Sequence, residues 1–320
     1  MNVVRRVVPV LAGSIIVGMI AALMPWFGVS SYIRTLVYYS AYFLALGQAW
    51  NLISGFTGYV SFAHGALAGI GAYAAVIALN AEWPIAMGLG AGATAATLGS
   101  LVIGATSLRL RGTAFTFATL FFQELVLLTI RKLPFAGGPG GLVLEEIFST
   151  ELPQILMIVT ASAATIAVAV LRSSRTGIRA FAVKDDETAA TAVGIDTTQL
   201  KIVLLCTSAA IAGLAGAIHA IFAASLYPND IFSVDVSLVA LAVPLIGGAG
   251  TAIGPVVGAI LYVGIREVLQ IIAPGLHLII VGLLILAVVL FMRDGIVVAV
   301  VRLWRTFAAA ANDPLSSTES

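Results

Sequence analysis

The chain has 320 residues, of which 60% are apolar and 10% charged, and its mean hydropathy is +1.09. So much apolar surface excludes a water-soluble globular protein and requires a lipid-embedded one. The net charge of +1 is too small to imply a nucleic-acid partner, and the single cysteine, Cys206, excludes an internal disulfide and reads as a small buried hydrophobe.

A hydrocarbon core about 30 Å thick takes roughly 20 apolar residues per helix. Apolar stretches of that kind, with few or no charges, occur at 7–27, 33–53, 65–81, 84–107, 113–130, 152–171, 202–224, 236–248, 254–272 and 275–292. The eighth is short, and with the ninth it can also be read as one broken element. The expected fold is all-α, a polytopic membrane protein of about 10 transmembrane helices with broken or re-entrant glycine-rich segments. Residues 1–308 form the membrane domain in this reading, with a loop at 172–201, and 309–320 a disordered tail.

Arg5 and Arg6 precede the first run as they would in a signal peptide, but a run of about 20 residues exceeds the usual h-region and an uncleaved helix is expected. Lysine and arginine then set the orientation. With the N-terminus inside, Arg5, Arg6, Arg109, Arg111, Arg172, Arg175, Arg179, Lys184, Lys201, Arg293, Arg302 and Arg305 lie on the inner side, 12 of 16. Arg34, Arg131, Lys132 and Arg266 make up the other four. Both termini are therefore expected to be cytoplasmic.

Between the second and third spans stands "GFTGYVSFAHGALAGIGAY", residues 55–73, with five glycines. Gly55, Gly58 and Gly65 remove side chains where the backbone turns, and Thr57, Ser61 and His64 offer partners to backbone groups that a turn leaves open in lipid. Gly65 and Gly69 have the spacing of close helix contact. A tight helical hairpin explains the stretch as well as a moving hinge does.

Glu124, in "TLFFQELVLL", is an acid amid apolar neighbours, and either lines a transport path or bonds a neighbouring helix. His219 reads as an interhelical partner, and His277 receives no role. No phosphate loop and no Cys/His metal cluster appears, so no catalytic residue, metal or cofactor is assigned to this chain.

The loop 172–201 carries nine of the 31 charged residues. Asp185 or Asp186 is a fitting N-cap and Gly194 a fitting C′ residue, so "DETAATAV" reads as a helix of about two turns. Ala189, Ala190 and Ala192 give it small side chains suited to a cleft, although a solvated surface helix has the same composition. A second glycine run, "LIGGAGTAIGPVVGAIL", spaces Gly250, Gly254 and Gly258 by four with Pro255 interposed. Both glycine runs open an outward-going span, as corresponding broken helices do in repeated transporter folds.

"GFTGYVSFAHGAL", "LRLRGTAFTFATLFFQE", "GGPGGL", "RTGIRAFAVKDDETAATAVGIDTTQLKIVLLCTSAAIAGLAGAIHA" and "PLIGGAGTAIGPVVGA" occur in this order. Together, over about residues 40–265, they resemble the permease subunits of branched-chain amino acid ABC importers, on the LivM-like side of the permease pair. The resemblance implies a bacterial inner-membrane importer working by alternating access, with a LivH-like paired permease, two ATPase subunits that use ATP, and an extracytoplasmic binding protein. It makes Gly55, Thr57, Gly58, Ser61, Phe62, His64, Glu124, Gly250 and Gly254 candidates for the path and hinge. It makes Arg179, Asp186, Glu187, Ala189, Ala190 and Gly194 candidates for ATPase coupling. The family's Glu-Ala-Ala is here Glu187-Thr188-Ala189-Ala190, one residue longer. Relatives imply urea, short amides or aromatic acids as alternative cargo, and a stand-alone proton-coupled carrier built on Glu124 is the rival from another class.

Overall fold

A computed structural model describes residues 30–272, apart from 109, 111 and 147, and a few isolated positions beyond that range. The expected spans 7–27 and 275–292, the tail 309–320, both termini, His277 and residues Arg5, Arg6, Arg109, Arg111, Arg293, Arg302 and Arg305 lie outside the described residues.

The described residues are helical almost throughout. α1 (Ser31–Trp50) passes into a π-helical turn (Asn51–Gly55), and after an irregular stretch come α2 (His64–Asn80), α3 (Ile85–Ser107) and α4 (Thr113–Lys132). α5 (Glu151–Ser173) leads into the short helices α6 (Arg175–Asp185) and α7 (Glu187–Ala192), then α8 (Thr197–Ala223), α9 (Pro228–Ile231), α10 (Val234–Gly247) and α11 (Gly254–Ile272). One pair of short antiparallel strands, β1 (Leu142–Val143) with β2 (Ser225–Leu226), ties two interhelical loops together at the end opposite the α1–α2 break.

Six of these stretches are long and apolar enough to cross a membrane: Ile85–Ser107, Thr113–Lys132, Glu151–Ser173, Thr197–Ala223, Pro228–Gly247 and Gly254–Ile272. The protein is thus a polytopic all-α membrane protein, but among the described residues six spans, not about ten, meet length and apolarity together. His64–Asn80 is apolar but shorter. α1 has the length and lacks the apolarity for a reason visible in its packing. Tyr38, Tyr42, Gln48 and Trp50 are all buried against protein. The eighth and ninth expected spans are two separate helices, α10 and α11, parted by a glycine-rich turn.

α1 is the central strut, packed on α5, α8, α10 and α11, while α2, α3 and α8 form a tight trio beside it. Glycine allows that trio its short interaxial distance. A Cβ added to Gly71 would fall on the Gly213 backbone, one on Gly216 on the Ala68 carbonyl, and one on Gly92 2.8 Å from Ala217. Gly90, on the same helix as Gly92, has open space around it.

Gly71→Leu should therefore lower stability by about 1–3 kcal/mol through overpacking, while Gly90→Ala should be neutral or gain up to about 1 kcal/mol in helix propensity. Thermal unfolding in detergent measures both. Equal stability of Gly71→Leu and the wild type would contradict the packing.

Candidate functional site

The region to explain is the break between α1 and α2. In an apolar bundle a helix interruption frees amides and carbonyls that lipid cannot satisfy. Here the chain widens into a π turn, reverses at Gly58 (φ +76) and re-enters helix at His64. Its freed groups are met by side chains from around the bundle. Trp50 Nε1 donates to the Ser61 carbonyl at 2.9 Å, and the Ser61 amide donates to Ser54 Oγ at 3.2 Å. Thr57 Oγ1 donates to the Ile53 carbonyl at 2.6 Å. From α4, Thr119 Oγ1 accepts the Phe62 amide at 3.0 Å and Thr116 Oγ1 donates to the Val60 carbonyl at 3.0 Å. From α10, Ser237 Oγ accepts the Gly65 amide at 2.7 Å and lies 2.6 Å from the Phe62 carbonyl, in contact with the Gln123 side chain. Ser208 Oγ of α8 donates to the Ala49 carbonyl at 2.6 Å, so its lone pairs face His64 Nε2 at 2.7 Å, which makes that nitrogen the protonated one.

The second glycine run closes on the first. Gly248 and Gly250 have positive φ (+129 and +78), and Thr251 Oγ1 caps α11 by accepting the Gly254 amide at 2.9 Å. Asn51 joins the two segments. Its Oδ1 accepts the Gly250 amide at 2.7 Å and its Nδ2 donates to the Thr251 carbonyl at 2.7 Å. Gln48 Nε2, one turn earlier, donates to the Ala252 carbonyl at 2.8 Å. A Cβ on Gly55 would fall on Asn51 Oδ1 and lie 2.8 Å from the Gly250 amide nitrogen, so Gly55 is required by the close approach, and Gly250 by its φ of +78.

The α6–α7 arm rests against the same end of the bundle. Ser174 caps α6 through the Gly177 amide at 3.2 Å. Asp186 Oδ1 caps α7 through the amides of Thr188 and Ala189 at 2.8 and 3.0 Å, and Gly194 (φ +85) follows that helix. Lys184 Nζ donates to the Gly55 carbonyl at 3.0 Å, and Phe181 packs on Phe56 with ring centroids 5.0 Å apart. Glu187 Oε1 accepts from Lys201 Nζ at 2.7 Å, and Tyr59 donates its hydroxyl proton to Glu187 Oε2. Burial alone would raise the Glu187 carboxyl. Hydrogen bonds from Lys201 and Tyr59, the Lys201 charge and Thr197 outweigh it and hold the group below the usual carboxylate range.

Gly55, Thr57, Ser61, Phe62, His64, Gly250 and Gly254 thus gather at one joint, with Gly58 facing Lys184. Glu124 stands apart from it, on the face of α4 lined by Phe121, Leu125, Leu128 and Lys132. Its neighbour Gln123 is the buried one, and its Nε2 reaches the Phe232 carbonyl at 3.4 Å. On the arm, Arg179, Asp186, Ala189 and Gly194 are exposed, whereas Ala190 is buried inside the chain and Glu187 is turned inward. The small size of Ala190 is therefore explained by this chain's own packing. Sequence reasoning missed Asn51, Tyr59, Thr119, Ser208, Ser237 and Lys201; each is a polar residue within or beside an apolar run, which is the available signal. Among the described residues no three His, Cys, Asp or Glu side chains gather as a metal would require.

A family model described as branched-chain amino acid transport system / permease component matches residues 32–289. Two curated relatives bear the description high-affinity branched-chain amino acid transport system permease protein LivM. That of Salmonella typhimurium is 27% identical over 267 residues, covering 71% of this chain and 61% of the relative. That of Escherichia coli K12 is 28% identical over the same length and coverage. The chain spans about three fifths of the length of these relatives (61%). No solved structure gives a significant match.

Asn51→Leu leaves the Gly250 amide and Thr251 carbonyl buried without their partner, at about 1–3 kcal/mol each, so thermal unfolding in detergent should show a loss of that order; an unchanged midpoint would contradict the bridge. Glu187 binds its proton less readily folded than unfolded. Its contribution is complete at neutral pH and is lost as pH falls through the depressed value. Glu187→Gln should consequently flatten the acid limb of the stability curve, and an acid limb identical to wild type would argue against the ion pair.

Proposed function

The chain belongs to the branched-chain amino acid transport permease family, and on that premise we propose that it is one membrane subunit of an ATP-driven importer of branched-chain, hydrophobic amino acids in a bacterial inner membrane. What most supports this reading is that the exposed α6–α7 arm bonds directly to the joint between two broken helices, through Lys184 and Gly55 and through Glu187 and Tyr59. An importer driven from outside its membrane domain needs such a connection; a self-contained carrier does not. Both relatives' names support branched-chain amino acids as the cargo.

The rest of the machine follows as part of the proposal. A LivH-like paired permease completes the membrane unit, two ATPase subunits bind and hydrolyse ATP, and an extracytoplasmic protein delivers the amino acid; this chain itself holds no cofactor. The full membrane domain has about ten helices with both termini cytoplasmic, and the arm lies on the cytoplasmic side. Gly55, Thr57, Gly58, Ser61, Phe62, His64, Gly250 and Gly254 form the hinge, and movement there exposes helix ends whose dipoles suit a zwitterion. Glu124, on its peripheral apolar face, is a poor proton site for a carrier.

The surface offered to an ATPase is the exposed apolar part of an otherwise polar arm. Val193 is 77% and Ile178 65% exposed, and Ala189 and Ala192 are exposed beside them on α7. Arg179, Asp186 and Gly194 complete that surface.

Uptake of labelled leucine into proteoliposomes holding both permeases, the ATPases and the binding protein tests the function. Uptake should require ATP and survive a protonophore. Uptake abolished by the protonophore while ATP stays high would establish the carrier instead. Val193→Asp should reduce ATPase co-purification about tenfold, equivalent to about 1.4 kcal/mol, whereas Phe135→Ser at the far end of the bundle should change nothing. Undiminished co-purification with Val193→Asp would move the docking surface elsewhere.

A further inference from the structure

Lys201 is the fifth residue of α8, and its side chain is only 2% exposed, as deeply buried as the apolar residues around it. Three contacts hold it. Its ammonium is 2.7 Å from Glu187 Oε1, 3.3 Å from the Tyr59 hydroxyl and 4.3 Å from the centroid of the Tyr59 ring. Tyr59 donates its own proton to Glu187 Oε2 and stacks edge-on against buried Phe115, at 5.2 Å. One cluster therefore contains a residue of the arm, a residue of the irregular stretch between α1 and α2, and a residue of a long helix.

The long helix extends the connection. Ser208 lies seven residues beyond Lys201, two helical turns away on the same face, and bonds both His64 and the Ala49 carbonyl, the two margins of the break. On the other flank Phe181 of the arm packs against Phe56 and lies within 3.3 Å of a Cβ placed on Gly250. The arm thus touches both glycine segments, and the Glu187–Lys201 ion pair, at 2.7 Å, is one of its attachments.

We infer that Lys201, Glu187 and Tyr59 form a positioning clamp that fixes the arm to the two-helix joint, so that displacement of the arm moves the joint instead of being absorbed between them. That displacement is driven by a docked ATPase, so this part rests on the proposed function; the mechanical connection does not. The clamp depends on complementary charge. An ammonium buried beside a carboxylate and a hydroxyl loses its compensation when either is removed, and a carboxylate already bonded twice is not free to turn outward toward another protein.

Three variants separate a clamp from a merely structural pair. Tyr59→Phe removes one hydroxyl, Lys201→Met removes the ammonium and keeps the stem, and Glu187→Gln with Lys201→Met removes both charges so that neither is left unpaired. In proteoliposomes with the partner subunits, Tyr59→Phe and the double variant should assemble and hydrolyse ATP at wild-type levels, while leucine taken up per ATP falls about tenfold, the scale of a typical coupling free energy. On the permease alone in nanodiscs, Lys201→Met should accelerate amide exchange in residues 56–63 and 187–192 together; Thr207→Ala, on the exposed face of α8, should accelerate neither. Wild-type uptake per ATP in both coupling variants, or unchanged exchange at 56–63 in Lys201→Met, overturns the clamp. If the wild-type permease associates with no ATPase, the proposed function fails on that result, and the exchange measurement decides the clamp without it.

Discussion

A helix broken inside an apolar bundle must find hydrogen-bond partners within the protein, and Asn51 supplies the decisive ones here. Its carboxamide serves the Gly250 amide and the Thr251 carbonyl simultaneously, so that each of two interruptions, 199 residues apart, is completed by the other. Glycine at 55 follows from that contact, because a side chain there would strike Asn51 and the Gly250 amide, and glycine at 250 from its positive φ. The ring of hydroxyls from Thr116, Thr119, Ser208 and Ser237 serves the same constraint from the surrounding helices. A polar joint is thereby enclosed by apolar helices that remain suited to lipid on their outer faces.

This arrangement makes the joint specific, since each bond aligns with a named partner, and it couples the two segments, since each completes the other. Gly58 and Gly250 both sit at positive φ, a backbone conformation that glycine adopts without strain. The arm is attached on the same side, through Lys184 to Gly55 and through Glu187 to Tyr59. Glu187 is turned inward to Lys201, whereas Val193 and Ile178 are left outside.

Much of the fold was legible in the sequence because lipid imposes length and apolarity on whatever faces it. The helices from α3 to α5, α8 and the α10–α11 pair lie where apolar runs indicated. α1 satisfied the length alone, since Tyr38, Tyr42 and Gln48 face protein, and no composition rule distinguishes a buried polar helix from a surface one. Asp186 as the cap of α7 was legible because capping is local. The meeting of the two glycine runs was legible only as an analogy, since the contact depends on how the intervening helices pack. Lys201 counted among the loop charges although it is buried, and Ala190 read as an interface residue although α7 presents it inward. Glu124 and Gln123 show the same limit: adjacent in sequence, they project about 100° apart, and periodicity alone did not say which faced the core.

The break between α1 and α2 is closed at rest by its own packing, and in the proposed importer it opens when the arm is driven. Ser61, wholly buried in that stretch, is the residue to probe. Cysteine placed at Ser61 in a chain whose Cys206 is replaced by alanine introduces a single reactive thiol. Its labelling by a membrane-impermeant maleimide should be negligible at rest and should rise during ATP-driven uptake in the assembled importer. Rapid labelling at rest, at the rate of an unhindered thiol, would show that the joint is an open loop instead.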